Sequence, residues 1–244
     1  MRITFFGTTH GVPEPGRKYS CSLVEAGDRK YLIDAGTDPM PELIDRGIHP
    51  SEISAIFITH RHGDHTGGLV PFINLCSWHY KHIVDPEIYL PDMCLVNGIN
   101  AWISAIHDQA RMDFRYRLIK EGLIYDDGVL RVTAMKTGHM DNSYAFKLEA
   151  EGKTVLFTGD MKTLDGPVAD YSRFSENCHY DAVIAECAHF DAMLYLEPLR
   201  RNPPERFFIN HYSLKYVEGC HHLRKELANE IPVTLVTDGY EIRL

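Results

Sequence analysis

Ten consecutive residues concentrate the chemistry of this chain: Thr59-His60-Arg61-His62-Gly63-Asp64-His65-Thr66-Gly67-Gly68. Three histidines and one aspartate fall within six of them, directly after the apolar, β-branched run Ser54–Thr59. In an extended stretch residues i and i+2 point the same way, so His60 and His62 can grip one ion. The chain turns at Gly63, after which Asp64 and His65 can reach a second ion nearby. Imidazole together with carboxylate suits zinc, and also manganese or iron. A single histidine here would be an ordinary surface-loop residue. Four donor residues at this spacing, bounded by a strand and paired glycines, point to metal.

The elements that must hold such a loop are legible as short runs. Ile3–Phe6, Ser22–Ala26 and Lys30–Asp34 read as strands, broken by the segment GVPEPG and by Gly27-Asp28. Pro41–Gly47 reads as a helical turn closed by its glycine. The run Ser54–Thr59 suits a strand buried on both faces, and Gly68–Cys76 continues as helix. From Asp92 to Lys120 the pattern is helical but irregular, as expected of a lid or a covering helix pair. Strands return at Leu130–Met135, Tyr144–Ala150, Thr154–Thr158, Ala182–Glu186, Arg206–Asn210, Thr234–Val236 and Glu241–Arg243, with a helix over Tyr216–Leu227. Two blocks of strands with helices between and outside them predict two sheets packed face to face and covered by helices, an α/β (α+β) arrangement. No repeat, low-complexity tract or linker interrupts residues 1–244, which are expected to form one domain.

Composition narrows the setting. With 244 residues the chain can bury roughly 70–75% of its unfolded surface and needs no staple. Six cysteines lie far apart with no CxxC pair, and read as buried thiols of a reducing compartment. No run approaches the roughly 20 apolar residues of a membrane span, and the opening MRITFFGTTHG reads as a strand rather than a leader. A cytoplasmic protein without membrane contact is therefore expected. The formal net charge of −9 does not favour gripping nucleic-acid backbone. It leaves room for a small anionic substrate, because bound metal ions invert the local field.

The loop resembles the HxHxDH hallmark of the metallo-β-lactamase superfamily, and other motifs of that family occur in order. Leu32-Ile33-Asp34-Ala35-Gly36 is similar to the motif whose aspartate supports the metal loop. Thr137-Gly138-His139 is similar to the one supplying a further histidine, Phe157-Thr158-Gly159-Asp160 to the one with a bridging aspartate, and Ile209-Asn210-His211-Tyr212-Ser213 to the one completing the second site. The resemblance covers nearly the whole chain. It implies a four-layer αββα sandwich with two ions, zinc first and manganese or iron as alternatives. It assigns His60, His62 and His139 to one ion, Asp64, His65 and His211 to the other, and Asp160 to both. Each outlying donor lies just past a predicted strand end, where such sites are assembled.

His62 stands where the flavo-diiron branch carries glutamate, which implies hydrolysis rather than redox chemistry. Gly7-Thr8-Thr9-His10-Gly11-Val12-Pro13, followed by Tyr19-Ser20-Cys21, resembles the start of ribonuclease Z and its small phosphodiesterase relatives. Asp238-Gly239-Tyr240-Glu241-Ile242 resembles their terminal strand, and Ala185-Glu186-Cys187-Ala188-His189 a segment carrying a histidine beside the metals in the phosphonate-pathway cyclic phosphodiesterase. The interval from His139 to Asp160 is 160 − 139 = 21 residues, too short for the tRNA-gripping arm of ribonuclease Z. The resemblance thus implies a binuclear hydrolase of small or short phosphodiesters, with Asp64 and His189 as catalytic residues, tRNA disfavoured as a partner and a homodimer compatible. The alternatives are a thioester or lactone hydrolase of the glyoxalase-II kind, or a metal-dependent binding protein without turnover. Ser213 is expected to cap the helix that follows it, and His221 and His222 to lie on a solvated helix face.

Overall fold

The computed structural model describes residues 1–161 and 169–244. Among the described residues, fourteen strands form two sheets of seven. The first holds β1 (Arg2–Gly7), β2 (Cys21–Ala26), β3 (Arg29–Ile33), β4 (Ile53–Phe57), β5 (Glu87–Leu90) and β6 (Arg115–Leu118). The second holds β7 (Gly122–Asp126), β8 (Arg131–Lys136), β9 (Tyr144–Ala150), β10 (Lys153–Phe157), β11 (Ala182–Cys187), β12 (Phe207–Tyr212) and β13 (Val233–Leu235). The last strand, β14 (Glu241–Arg243), crosses back to pair with β1, so the chain ends in the sheet where it began. Each sheet changes character part-way. In the first, β1 to β3 run antiparallel and β3 to β6 parallel. In the second, β7 to β10 run antiparallel and β10 to β13 parallel.

The burial pattern follows from this layering. Parallel strands covered on both sides read as continuous apolar runs, and every residue of β11 and β12 is buried. Between the sheets lies a core of Ile3, Phe5, Tyr31, Phe57, Phe146, Leu148, Val155 and their neighbours. Outside the first sheet, Leu32, Ile56 and Ile88 pack under α1 (Pro39–Asp45), α3 (Leu69–Leu75) and α4 (Cys94–Ile106), with the single turn α2 (Gly63–Thr66) leading into α3. Outside the second, Leu156, Val183 and Ile209 pack under α5 (Ala169–Ser175), α6 (Leu196–Arg201) and α7 (Val217–Glu226). Three apolar interfaces between four layers are the αββα sandwich that the motifs imply.

Several expectations need correction. The stretch from Asp92 to Lys120 is not a helix pair: it holds one helix, α4, and then the edge strand β6. The alternating Arg115-Tyr116-Arg117-Leu118 is mostly exposed, as an edge strand allows, and its polarity disguised it. Strand β5 holds only four residues and no residue of β7 is fully buried, so neither shows a clear apolar pattern in the sequence. Asp34 is not the last residue of a strand but sits in the left-handed region (φ 58°) just beyond β3. Of the six cysteines, Cys21, Cys76, Cys187 and Cys220 are buried, whereas Cys94 is exposed and Cys178 half-buried. Ser213 caps as expected, its hydroxyl accepting from the Lys215 N–H at 3.2 Å, and His221 and His222 are exposed on α7.

Two motifs are pressed together at the carboxyl end of the first sheet. The Ala35 N–H donates to His65 O (2.9 Å), the Gly68 N–H to Ala35 O (2.7 Å) and the Gly36 N–H to Ser20 O (2.7 Å). The approach is so close that a Cβ on Gly36 would stand 1.8 Å from Asp64 O. Glycine is required there by proximity. We expect Gly36→Ala to destabilise the protein at the upper end of the ~1–3 kcal/mol typical of overpacked sites. Chemical denaturation checks this, and an unchanged midpoint would show that the two motifs are not in the contact described.

Candidate metal centre

Donor side chains from both sheets converge where the parallel strands end, the usual place for a site in such sheets. His60, His62, Asp64 and His65 follow β4, His139 sits between β8 and β9, Asp160 follows β10, and His211 lies near the end of β12. They form two groups. His60, His62, His139 and Asp160 bring one ligand atom each within 4.8 Å of one another, and so do Asp64, His65 and His211. His62 Nδ1 is 3.0 Å from His60 Nε2 and 3.2 Å from His139 Nε2. Nitrogens about 2.0–2.1 Å from a tetrahedral zinc ion stand about 3.3 Å apart, so this spacing matches ligands of one ion.

Asp160 joins the groups by dividing its oxygens. Its Oδ2 is 3.6 Å from both His60 Nε2 and His139 Nε2. Its Oδ1 is 3.4 Å from both His65 Nε2 and His211 Nε2. His211 Nε2 also lies 3.5 Å from Asp64 Oδ2. The Asp160 Oδ1 and His65 Nε2 atoms are buried without a hydrogen-bond partner among the described residues. Buried polar atoms demand partners, and an N/O donor set of this kind fits divalent zinc, manganese or iron.

Burial and neighbouring charge set the protonation. Burial would raise the Asp160 carboxyl, but the imidazoles of His211, His65 and His60 outweigh it and hold it ionised. Burial drives His60 well below the ordinary histidine range, aided by the charge of His65, and draws His211 down to about 4 against the pull of Asp160. His60 and His211 are thereby neutral, as metal ligands must be. The carboxylates of Asp34 and Asp160 instead outweigh burial and hold His65 well above the ordinary range, with a proton that a bound cation would displace.

Asp34 supports the set from beneath. Its carboxylate accepts the Thr59 N–H at 2.7 Å and the Thr59 hydroxyl at 3.0 Å, and its Oδ2 lies 2.7 Å from His65 Nδ1. That last contact places the ring proton on Nδ1 and turns the Nε2 lone pair towards the centre. Thr59 Oγ1 is likewise 3.2 Å from His60 Nδ1. Thr59, which the sequence reading left without a role, therefore orients one histidine of each group.

His189 stands at the rim, half-exposed, with Nε2 3.7 Å from Asp160 Oδ2. Its Nδ1 is 2.8 Å from Glu186 Oε2, and the buried Glu186 also accepts the N–H groups of Met161 (2.7 Å) and Ala188 (3.0 Å). The sequence motif around Glu186 assigns it no task. An acid closing an otherwise apolar strand was the available signal. The same three residues, Asp160, Glu186 and His189, form a further group with metal-ligand spacing.

Two layers of sheet between layers of helix, with this donor set at the strand ends, define the metallo-β-lactamase fold. The family model described as Anti-Pycsar protein Apyc1 matches residues 1–215, and the chain belongs to that family. A ribonuclease Z of Nostoc punctiforme is 29% identical over 174 residues, covering 68% of this chain and 53% of that protein. The chain spans about half the length of the first curated relatives it matches. Among solved structures, human tRNase Z, short form, superposes with a TM-score of 0.75 at 23% identity, covering 100% of this chain and 99% of the other. YhfI of Bacillus subtilis, a metallo-β-lactamase fold protein, does so with a TM-score of 0.76 at 19% identity over 99% of each chain. These likenesses fall among ribonucleases Z in sequence and among metallo-β-lactamase-fold proteins in structure. They also overturn the expectation that tRNA is disfavoured as a partner, since these relatives are ribonucleases Z and a tRNase Z. Net charge was a poor guide, because it averages over the surface and is blind to the field inside a metal-bearing cleft.

Replacing Asp34 tests the scaffold directly. Groups that orient metal-binding histidines are typically worth 10–100-fold in affinity, and Asp34→Ala should lose about that much in a chelator competition. Undiminished affinity would mean that Thr59 and His65 hold their orientation without it.

Proposed function

We propose that this chain is a metal-dependent phosphodiesterase acting on small or single-stranded phosphodiesters. The observation that carries the reading is the division of Asp160 between two donor groups. His60, His62 and His139 would hold one ion, Asp64, His65 and His211 the other, with Asp160 between them and zinc the best-matched metal. Such a pair supplies Lewis acidity, neutralising charge on phosphoryl oxygens and acidifying a water.

The chain's own contribution is proton delivery and orientation. Burial works against charge on His189, but the Glu186 hydrogen bond and charge, with Asp160 and Asp64, carry the imidazole up to about 9. A histidine paired with a buried acid, beside the centre and open to solvent, can protonate a departing alkoxide. This separates the reading from thioester hydrolysis, because a thiolate, with an ordinary pKa near 8.5, leaves without a proton. Glu186 fixes the Nδ1 side of the ring, so that Nε2 presents the proton to the cleft. Asp64 binds and aligns from the opposite group.

The purified protein, loaded with zinc or manganese, should cleave bis(p-nitrophenyl) phosphate in preference to a phosphomonoester or a thioester. His62→Ala should cost about 10³-fold or more, since a metal typically contributes several kcal/mol at about 1.4 kcal/mol per decade, while the unfolding transition stays cooperative. Robust thioesterase activity without phosphodiester cleavage would refute the assignment. A precursor tRNA belongs in the same panel.

His189→Ala discriminates further. On a diester with an alkyl leaving group the loss should be about 10²–10⁴-fold, the usual worth of general acid catalysis. A p-nitrophenyl ester should lose little, because its leaving group departs unaided. Equal losses on both would show that His189 serves binding rather than protonation.

A further inference from the structure

The loop from Thr8 to Lys18 is fastened to the segment that carries His211. Arg17, whose side chain is only 10% exposed, donates to the Tyr212 carbonyl at 3.0 Å, and its guanidinium lies 3.9 Å above the Tyr212 ring. It also donates to the Thr8 carbonyl and pairs with Glu14. Glu14, 9% exposed, accepts the Leu214 N–H at 2.8 Å, so both sides of the Tyr212-Ser213 dipeptide are gripped. His10 completes the cluster, with Nε2 3.2 Å from Glu14 Oε1. Burial would raise the Glu14 carboxyl, yet the Leu214 N–H and Arg17 outweigh it and hold it below the ordinary range. Asp238 anchors the loop's two ends, accepting the Thr8 hydroxyl and the Lys18 N–H, each at 2.7 Å.

The same loop passes close to a second donor. A Cβ on Gly11 would lie 3.3 Å from Asp64 Oδ2. The two donors it approaches, His211 and Asp64, belong to one group of the centre. Among the described residues no hydrogen bond joins this loop to His60, His62 or His139. We infer that Arg17 and Glu14 are positioning residues that hold the Asp64, His65 and His211 group in shape, so that losing their clasp costs the ion of that group and spares the other. This rests on the two-ion reading above. Arginine is required rather than lysine, because the planar fork reaches the Thr8 and Tyr212 carbonyls together while stacking on the ring.

The test is metal stoichiometry by elemental analysis, after zinc loading and dialysis, for the wild type, Arg17→Ala, Arg17→Lys and Glu14→Gln. Chelator titration then gives the affinity of each site. The wild type should hold two ions. The Arg17 variants should retain one and bind the second about 10–100-fold more weakly, with Glu14→Gln intermediate because it still accepts the Leu214 N–H. Circular dichroism of the metal-free forms identifies a variant that fails to fold, in which case Glu14→Gln carries the test. Two ions held with unchanged affinity in every folded variant would overturn the inference. Equal weakening of both sites would also overturn it, because a general loss of stability has no preference. A wild type holding a single ion would refute the two-ion reading itself, a result distinct from either.

Discussion

The carboxylate of Asp34 is the contact on which the centre depends. Just past β3 the backbone enters a left-handed turn that aspartate tolerates better than most residues. The turn sends the side chain towards the loop after β4 rather than along the strand. There it gathers the Thr59 N–H, the Thr59 hydroxyl and the His65 ring. Through Thr59 it also governs the orientation of His60. One buried acid thereby sets the facing of two imidazoles from different donor groups. An aspartate held this way works through others, and its own contribution is geometry.

The sandwich brings the second half of the donors to meet the first. Thr59 accepts the Tyr144 N–H at 3.0 Å, a direct backbone bond between the loop after β4 and the first residue of β9. Beside it Gly159 takes a positive φ of 55°, and a Cβ there would meet Tyr144 O at 2.7 Å. That approach delivers Asp160 between the histidines of both sheets. A shift of even a few tenths of an ångström would spoil the near-equal distances from its two oxygens. The close glycine contacts thus act on the donor geometry through the backbone.

The electrostatics follow from crowding. Five histidines and two aspartates are packed at a strand-end cleft where burial penalises charge on the most enclosed of them, His60, His65, Asp160 and His211. Carboxylates and imidazoles answer each other, leaving Asp160 ionised and His60 and His211 neutral. His189 differs because its partner is Glu186, a buried acid outside the two main groups. The same cleft therefore offers neutral nitrogens of His60 and His211 to metal and, at its rim, an imidazole held by a buried acid. The overall charge of −9 has little say in this.

What the sequence determined by itself is the donor inventory and its order along the chain. The His60–His65 loop announces metal through local spacing, and the strands of Tyr144–Ala150 and Glu241–Arg243 are read to the residue because alternation and turn residues frame them. Strand β5, Glu87–Leu90, is four residues long and β6 is mostly exposed, so neither carries a pattern that a local reading can hold. The rest was decided by tertiary structure. Which oxygen of Asp160 faces which histidines, that Glu186 orients His189, and that Arg17 reaches Tyr212 across 195 residues of sequence are matters of approach between strand ends. No periodicity encodes such contacts. They exist only once sheet pairing has fixed where each strand stops, because a side chain's partners are set by the backbone positions that folding brings within reach.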